Sequence, residues 1–145
     1  MGPKTQPYRN QHAELARLAA AIPADSIEIV PSRASRALAG LKSLLIVHLK
    51  LQDGMLYPWM MHQPSAELRG KGKHFREMMH ALLVSFLAFY QRWTNPDAIA
   101  EDPEGFVCAW RIVLGVLKHR LQAEASDLYP AIDRYVVPER APLAS

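Results

Sequence analysis

Apolar side chains recur every three or four positions along four stretches of the 145-residue chain, and this period most limits its possible folds. In the second stretch the inward positions run Leu38, Leu41, Leu45, His48, Gln52, Met55 and Trp59. This spacing places the side chains on one face of a helix. No stretch alternates apolar and polar residues as a half-buried strand would. The sequence therefore predicts an all-α protein.

Prolines and capping residues bound the four predicted helices, which cover roughly residues 10–22, 32–58, 65–93 and 102–130. Ser32 is expected to cap the second helix, and Pro103 suits the first turn of the fourth. Short connections between amphipathic helices indicate an up-down four-helix bundle. We expect a single domain over residues 1–145, with the bundle at about 8–136 and a loosely held tail after Val137.

Composition argues against several classes of partner. The formal net charge is +3, and Lys and Arg are scattered, so no nucleic-acid surface is predicted. No apolar stretch is long enough to span a membrane. The single cysteine, Cys108, cannot form an internal disulfide, and the opening "MGPKTQPYRN" lacks the apolar region of a signal peptide. A cytoplasmic location is expected.

Histidines occur on the predicted inner faces of three helices. His12 and His48 lie on the apolar stripes of the first two helices, and Gln52 lies one turn beyond His48. In the third helix His80 lies at the inner edge of the stripe, whereas His74 points away from it. These positions favour His12, His48 and His80 as inward polar groups.

The fourth helix aims two charged residues inward. Arg120 and Glu124 are four residues apart on its inner face, and His119 points nearly the opposite way. One interpretation makes each inward polar group an ordinary core residue with a hydrogen bond. Unpaired, each would cost about 1–3 kcal/mol on burial. A shared metal centre or a shared polar network accounts for all of them together, and the spacing leaves both alternatives open.

The helical segments together resemble a known family. "RNQHAELARL", "HLKLQDGMLYP", "HFREMMHALLVSFL" and "HRLQAEASDLYP" resemble the four helices of the hemerythrin-like family, the HHE cation-binding domain. The resemblance extends from about Tyr8 to Val136 and implies a four-helix bundle with a non-haem di-iron centre. It implies His12, His48 and Glu124 as ligands, with His80 a better candidate than His74.

The departures from the family pattern fall within the site. Gln52 stands where the family has a bridging Glu, with Asp53 as the adjacent acid, and Arg120 stands where it has a ligand histidine. A guanidinium has no lone pair for a metal. We therefore expect Arg120 to pair with Glu124 in the interior in place of a metal. A π-bulge near Arg120 would instead turn His119 inward as a ligand.

The resemblance leads to three functional hypotheses. The first is a non-enzymatic cation-binding protein that holds iron and a diatomic ligand, dioxygen or nitric oxide. Its site would be mononuclear at most, built from His12, His48, His80 and Glu124, rather than the family's dinuclear one. The second is a metal-free regulatory or interaction module. The third is a di-iron oxidase or peroxidase, which the small number of inward acids disfavours. Neither a protein partner nor an oligomeric state follows from the sequence.

Overall fold

The computed structural model describes residues 2–136, which form helices and contain no strand. In chain order the helices are α1 (Gln6–Ala20), α2 (Pro31–Leu51), α3 (Tyr57–Met61), α4 (Ala66–Trp93), α5 (Pro96–Glu101), α6 (Pro103–Ala123) and α7 (Tyr129–Tyr135). A 3-10 turn at Ser26–Glu28 lies between α1 and α2. The predicted tail after Val137 lies outside the described residues. Within them, no helix has the length and apolar character needed to cross a membrane.

The four long helices form the predicted bundle. α1 packs on α2, α2 packs on α4, and α4 packs on α6. The fourth side is less closed, because a groove of about 910 Å³ runs between α1 and α6. This arrangement confirms the predicted all-α, up-down four-helix bundle.

Local signals explain where most helices begin. The Ser65 hydroxyl caps α4 by accepting from the Leu68 amide at 3.2 Å, and Asp102 caps α6. The start of α2 differs from the prediction, because Val30 is its N-cap and Ser32 lies within its first turn. Pro31 occupies the first helical position, which suits its fixed φ and its missing N–H. The short helix α5 was not predicted.

Two π-helical segments interrupt the bundle, Gln52–Leu56 between α2 and α3 and Glu124–Leu128 between α6 and α7. A π turn contains an extra residue and so rotates the next side chains around the helix axis. Met55, predicted on the inner stripe, is therefore 61% exposed, and Leu56 takes its place in the core. A Leu-Tyr-Pro sequence spans the end of each π segment and the start of the next helix.

The core consists of two apolar clusters separated along the bundle. Leu45 and Leu117 belong to the larger cluster, and Leu56 and Leu128 belong to the smaller one. Between these pairs, α2 carries His48 and Gln52, while the second π segment begins at Glu124. We call His12, His48, Gln52, Glu124 and Tyr129 the polar layer. The fold thus holds its polar groups between two apolar cores.

Candidate metal centre

Three side chains from three parts of the bundle meet in the polar layer. Glu124 Oε1 lies 2.9 Å from His12 Nε2 and 3.0 Å from His48 Nε2. One potential ligand atom from each residue lies within 4.8 Å of the others. His48 and Glu124 are fully buried, and the His12 side chain is 12% exposed. The predicted convergence of His12, His48 and Glu124 is therefore seen in the structure.

Gln52 and Tyr129 complete the polar layer. Gln52 Nε2 donates to Glu124 Oε2 at 2.7 Å and to the Tyr129 hydroxyl at 3.0 Å. The Tyr129 hydroxyl is also 3.1 Å from His12 Nε2 and 3.3 Å from Glu124 Oε1. From outside the layer, the Tyr57 hydroxyl donates to Gln52 Oε1 at 3.1 Å. Both oxygens of the buried carboxylate thus have hydrogen-bond partners.

Gln11 fixes the orientation of His48. Gln11 Oε1 lies 2.7 Å from His48 Nδ1. An amide oxygen only accepts, so His48 Nδ1 carries a hydrogen and Nε2 is the atom directed at Glu124. Ligand histidines are typically held in this way, with the second ring nitrogen donating to an oxygen. Gln11 was not among the predicted site residues, since the helical period gives no signal for a residue beside the inner stripe.

The surroundings keep Glu124 charged and the nearby phenols neutral. Burial raises the pKa of Glu124. Hydrogen bonds from His12 and His48, and the charges on these rings, outweigh burial and lower the pKa to about 2. Burial is the main cause that raises the pKa of Tyr57 and Tyr129 above its usual range, and the charge of Glu124 adds to it. At neutral pH the layer therefore contains one carboxylate and the protonated Tyr129, and Tyr57 beside the layer is protonated as well.

His80 does not join this cluster, so the expectation that it points into the bundle is wrong. It is exposed, and its Nε2 lies 2.8 Å from Asp53 Oδ2 at the surface. The next residue back, Met79, occupies the buried face, and successive helical side chains point about 100° apart. His74 is also exposed and packs edge-on against Phe75. Asp53 and the two histidines thus lie outside the polar layer.

Arg120 and His119 also differ from expectation. Glu124 makes no ion pair with Arg120, whose Nε atom is buried without a hydrogen-bond partner among the described residues. Glu124 instead accepts hydrogen bonds from histidines and from the Gln52 amide. His119 is exposed and lines the groove between α1 and α6. The π segment begins at Glu124, after both residues, and so does not turn His119 inward.

The family model described as the hemerythrin HHE cation-binding domain matches residues 5–132. The chain belongs to this family. Comparisons with curated proteins and with solved structures gave no match. The matched residues of this hemerythrin domain include every member of the polar layer.

The hemerythrin site has two related halves, one at the end of α2 and one at the end of α6, and they carry different residues. Gln52 and Glu124 each begin a π segment and hydrogen-bond directly to each other. Four residues earlier, the first half has His48 and the second half has Arg120. α4 adds no ligand, because its buried residues are Leu68, Gly72, Phe75, Met79, Leu82, Phe86, Phe89 and Trp93. The two proposed ligand histidines therefore come from α1 and α2, and neither α4 nor α6 supplies one.

The donor set of this hemerythrin domain fits one cation and does not fit two. Two imidazoles and one carboxylate form the 2-His-1-carboxylate set typical of non-haem iron(II). Two ligands bound at a right angle and about 2.1 Å from a cation lie about 3.0 Å apart. The distances of 2.9 and 3.0 Å from Glu124 Oε1 to the two histidines match this separation. A second cation would lack a bridging carboxylate at Gln52 and a ligand on α4.

Proposed function

We propose that this hemerythrin domain binds one iron ion per chain through His12, His48 and Glu124. The observation that carries the proposal is the convergence of their three ligand atoms within 4.8 Å, in a layer isolated between apolar cores. Gln11 supports it by leaving His48 Nε2 as the inward atom. Imidazole and carboxylate together suit iron(II) better than calcium or magnesium, which prefer oxygen ligands alone.

The residues around the ligands have supporting roles. Gln11 orients His48, and Gln52 holds the second oxygen of Glu124 so that the first faces both histidines. His12 is partly exposed at the groove between α1 and α6, which offers a route for small molecules. When bound, the ion would supply coordination positions that the three protein ligands leave open.

We further propose that those positions receive a diatomic ligand, dioxygen or nitric oxide, for storage or sensing. A reducing compartment such as the cytoplasm would suit both iron(II) and the exposed thiol of Cys108. Oxidase or peroxidase chemistry at two metals needs a pair of cations with bridging ligands. The neutral Gln52 and the apolar inner face of α4 argue against that third hypothesis.

One observation favours a second candidate function, a metal-free binding module. Glu124 is fully hydrogen-bonded by His12, His48 and Gln52, so its burial requires no metal. A protein with this network would fold without iron and would act by binding partners at its surface. The two candidates differ in metal content alone, and this can be measured directly.

The test is elemental analysis of protein purified with iron(II) supplied under anaerobic conditions. We expect about one iron per chain in the unmodified protein and loss of that iron in His48→Ala. His80→Ala and His119→Ala are matched controls, since both histidines are exposed and lie outside the His12–His48–Glu124 cluster. Both controls should retain the iron. Circular dichroism checks that each variant is folded.

Other stoichiometries would overturn the proposal. About two irons per chain would mean that the second half of the site finds ligands elsewhere. No bound iron, together with no bound cobalt(II) at saturating concentration, would favour the metal-free module. Equal iron loss in His48→Ala and His80→Ala would place the ion outside the polar layer.

A further inference from the structure

The Tyr129 hydroxyl lies beside two of the three proposed ligand atoms. It is 3.1 Å from His12 Nε2 and 3.3 Å from Glu124 Oε1. Tyr57 follows the first π segment as Tyr129 follows the second, but its hydroxyl contacts Gln52 alone in the layer. The two tyrosines are equivalent in position along the chain and differ in their access to the ligand atoms.

We propose that the Tyr129 phenol oxygen becomes a fourth ligand when the bound ion is iron(III). This inference rests on the proposed function, since it requires an ion at His12, His48 and Glu124. The three-residue site holds iron(II) without the phenol, and Tyr129 adds a phenolate ligand for the oxidised ion.

The geometry supports coordination without movement of the backbone. Neighbouring ligands about 2.1 Å from one cation lie about 3.0–3.4 Å apart in octahedral and tetrahedral arrangements. Both Tyr129 distances fall within this range. The ring is buried, stacks on Tyr8 at a centroid distance of 6.0 Å, and carries the Arg9 guanidinium 5.2 Å above it. These contacts hold the hydroxyl at the ligand cluster.

Charge supports the same conclusion. Glu124 is the only fully buried acid among the described residues, so iron(III) bound by it and two neutral histidines would leave a net charge of +2 inside the bundle. Burying uncompensated charge is costly. On coordination the oxygen–iron bond forms and the phenol O–H bond breaks, with the oxygen keeping the electron pair. The proton leaves to solvent past the exposed edge of His12, and the site charge falls to +1.

The experiment is to load metal-free protein with iron(III) nitrilotriacetate and record its visible absorption spectrum. Phenolate bound to iron(III) gives a ligand-to-metal charge-transfer band that histidine and carboxylate do not give. We expect this band in the unmodified protein and in Tyr57→Phe, the matched control, whose hydroxyl touches no proposed ligand. Tyr129→Phe should lose the band and at least about tenfold in iron(III) affinity. Its cobalt(II) content should stay unchanged.

The outcomes separate this inference from the function on which it rests. Iron(III) bound without the band, or a band that survives in Tyr129→Phe, overturns Tyr129 as a ligand and leaves the three-residue site intact. Failure of the unmodified protein to bind iron or cobalt(II) overturns both. If Tyr129→Phe does not fold, resonance Raman spectra of the unmodified protein decide: phenolate modes support the proposal, and their absence overturns it.

Discussion

Glu124 determines the chemistry of the polar layer. A carboxylate that is fully buried loses its hydration, and it is tolerated only where hydrogen bonds replace the lost water. His12, His48 and Gln52 supply those bonds. Gln52 in this position avoids a second negative charge 2.7 Å away, which would force one of two carboxyl groups to hold a proton. The residue that would limit the site to one cation thus also stabilises the metal-free protein.

The loss of folding stability at acid pH is predicted to depend on Glu124. Its pKa in the folded protein is about 2, below the ordinary value of 4.5. Stabilisation from this group is therefore complete above pH 4.5 and is lost as the pH falls toward 2. The difference corresponds to about 3 kcal/mol in the free energy of unfolding. Urea unfolding of metal-free protein at a series of pH values measures it.

The matched comparison for this prediction uses two substitutions. Glu124→Gln should flatten the profile over that interval, whereas Glu101→Gln, at an exposed position, should leave it unchanged. A Glu124→Gln profile that parallels the unmodified protein would show that the loss of stability at acid pH arises from other carboxylates.

The two π segments link the long helices to the polar layer. Each follows a long helix of the bundle, places a site residue at its first position, and ends before a buried tyrosine and a proline. His48, Gln52, Leu56 and Met60 recur every four positions, which is slightly more than one 3.6-residue turn, so in a regular α-helix their side chains would rotate gradually around the axis. The extra residue in each π segment offsets this rotation. The segments therefore keep both the polar layer and the smaller apolar cluster on the inner face.

Deletion of one residue tests this role. Removal of Met55, which is 61% exposed, should convert the first π segment to an α-turn and leave Leu56 and Tyr57 inward. We expect a loss of about 1–2 kcal/mol in the free energy of unfolding, within the range of ordinary substitutions. Removal of Val47, 48% exposed within α2, is the control. It should rotate His48 by about 100° and abolish folding. Equal effects in chemical unfolding would contradict the assigned role of the π segment.

The whole bundle is closed unevenly, and this determines access to the site. Three of its helix pairs are packed, while the groove between α1 and α6 runs beside His12. Small residues on α1, among them Ala13, Ala16 and Ala20, line the groove. The structure thus combines a buried carboxylate with one partly exposed histidine at the groove.

Filling the groove is predicted to slow metal uptake without changing the amount bound. Ala16→Phe places a ring in the groove, so cobalt(II) loading, followed by stopped-flow absorbance, should slow several-fold. Ala88→Phe, at an exposed position on α4, is the control and should load at the original rate. The final stoichiometry should be the same in both. Equal loading rates would mean that the ion enters by another route.

Features that depend on local chemistry could be predicted from the sequence alone. The predicted starts of the third and fourth helices, near Ser65 and Asp102, depend on local signals, and both were correct. The 3.6-residue period of an α-helix is likewise local, so His48 and Glu124 were correctly assigned to inner faces. The motifs also indicated the family. In each case the deciding interactions lie within one or two helical turns.

Features that depend on neighbours across the bundle required the three-dimensional fold. His80 lies at the edge of its stripe, where the helical angle alone allows either an inward or an outward side chain, and Arg120 was predicted on the inner face beside Glu124. Met79 occupies the buried face beside His80, and Glu124 hydrogen-bonds to His12, His48 and Gln52 rather than to Arg120. The π segments moved Leu56 into the position predicted for Met55. Such choices depend on contacts between residues far apart in the chain, which no period within one helix encodes.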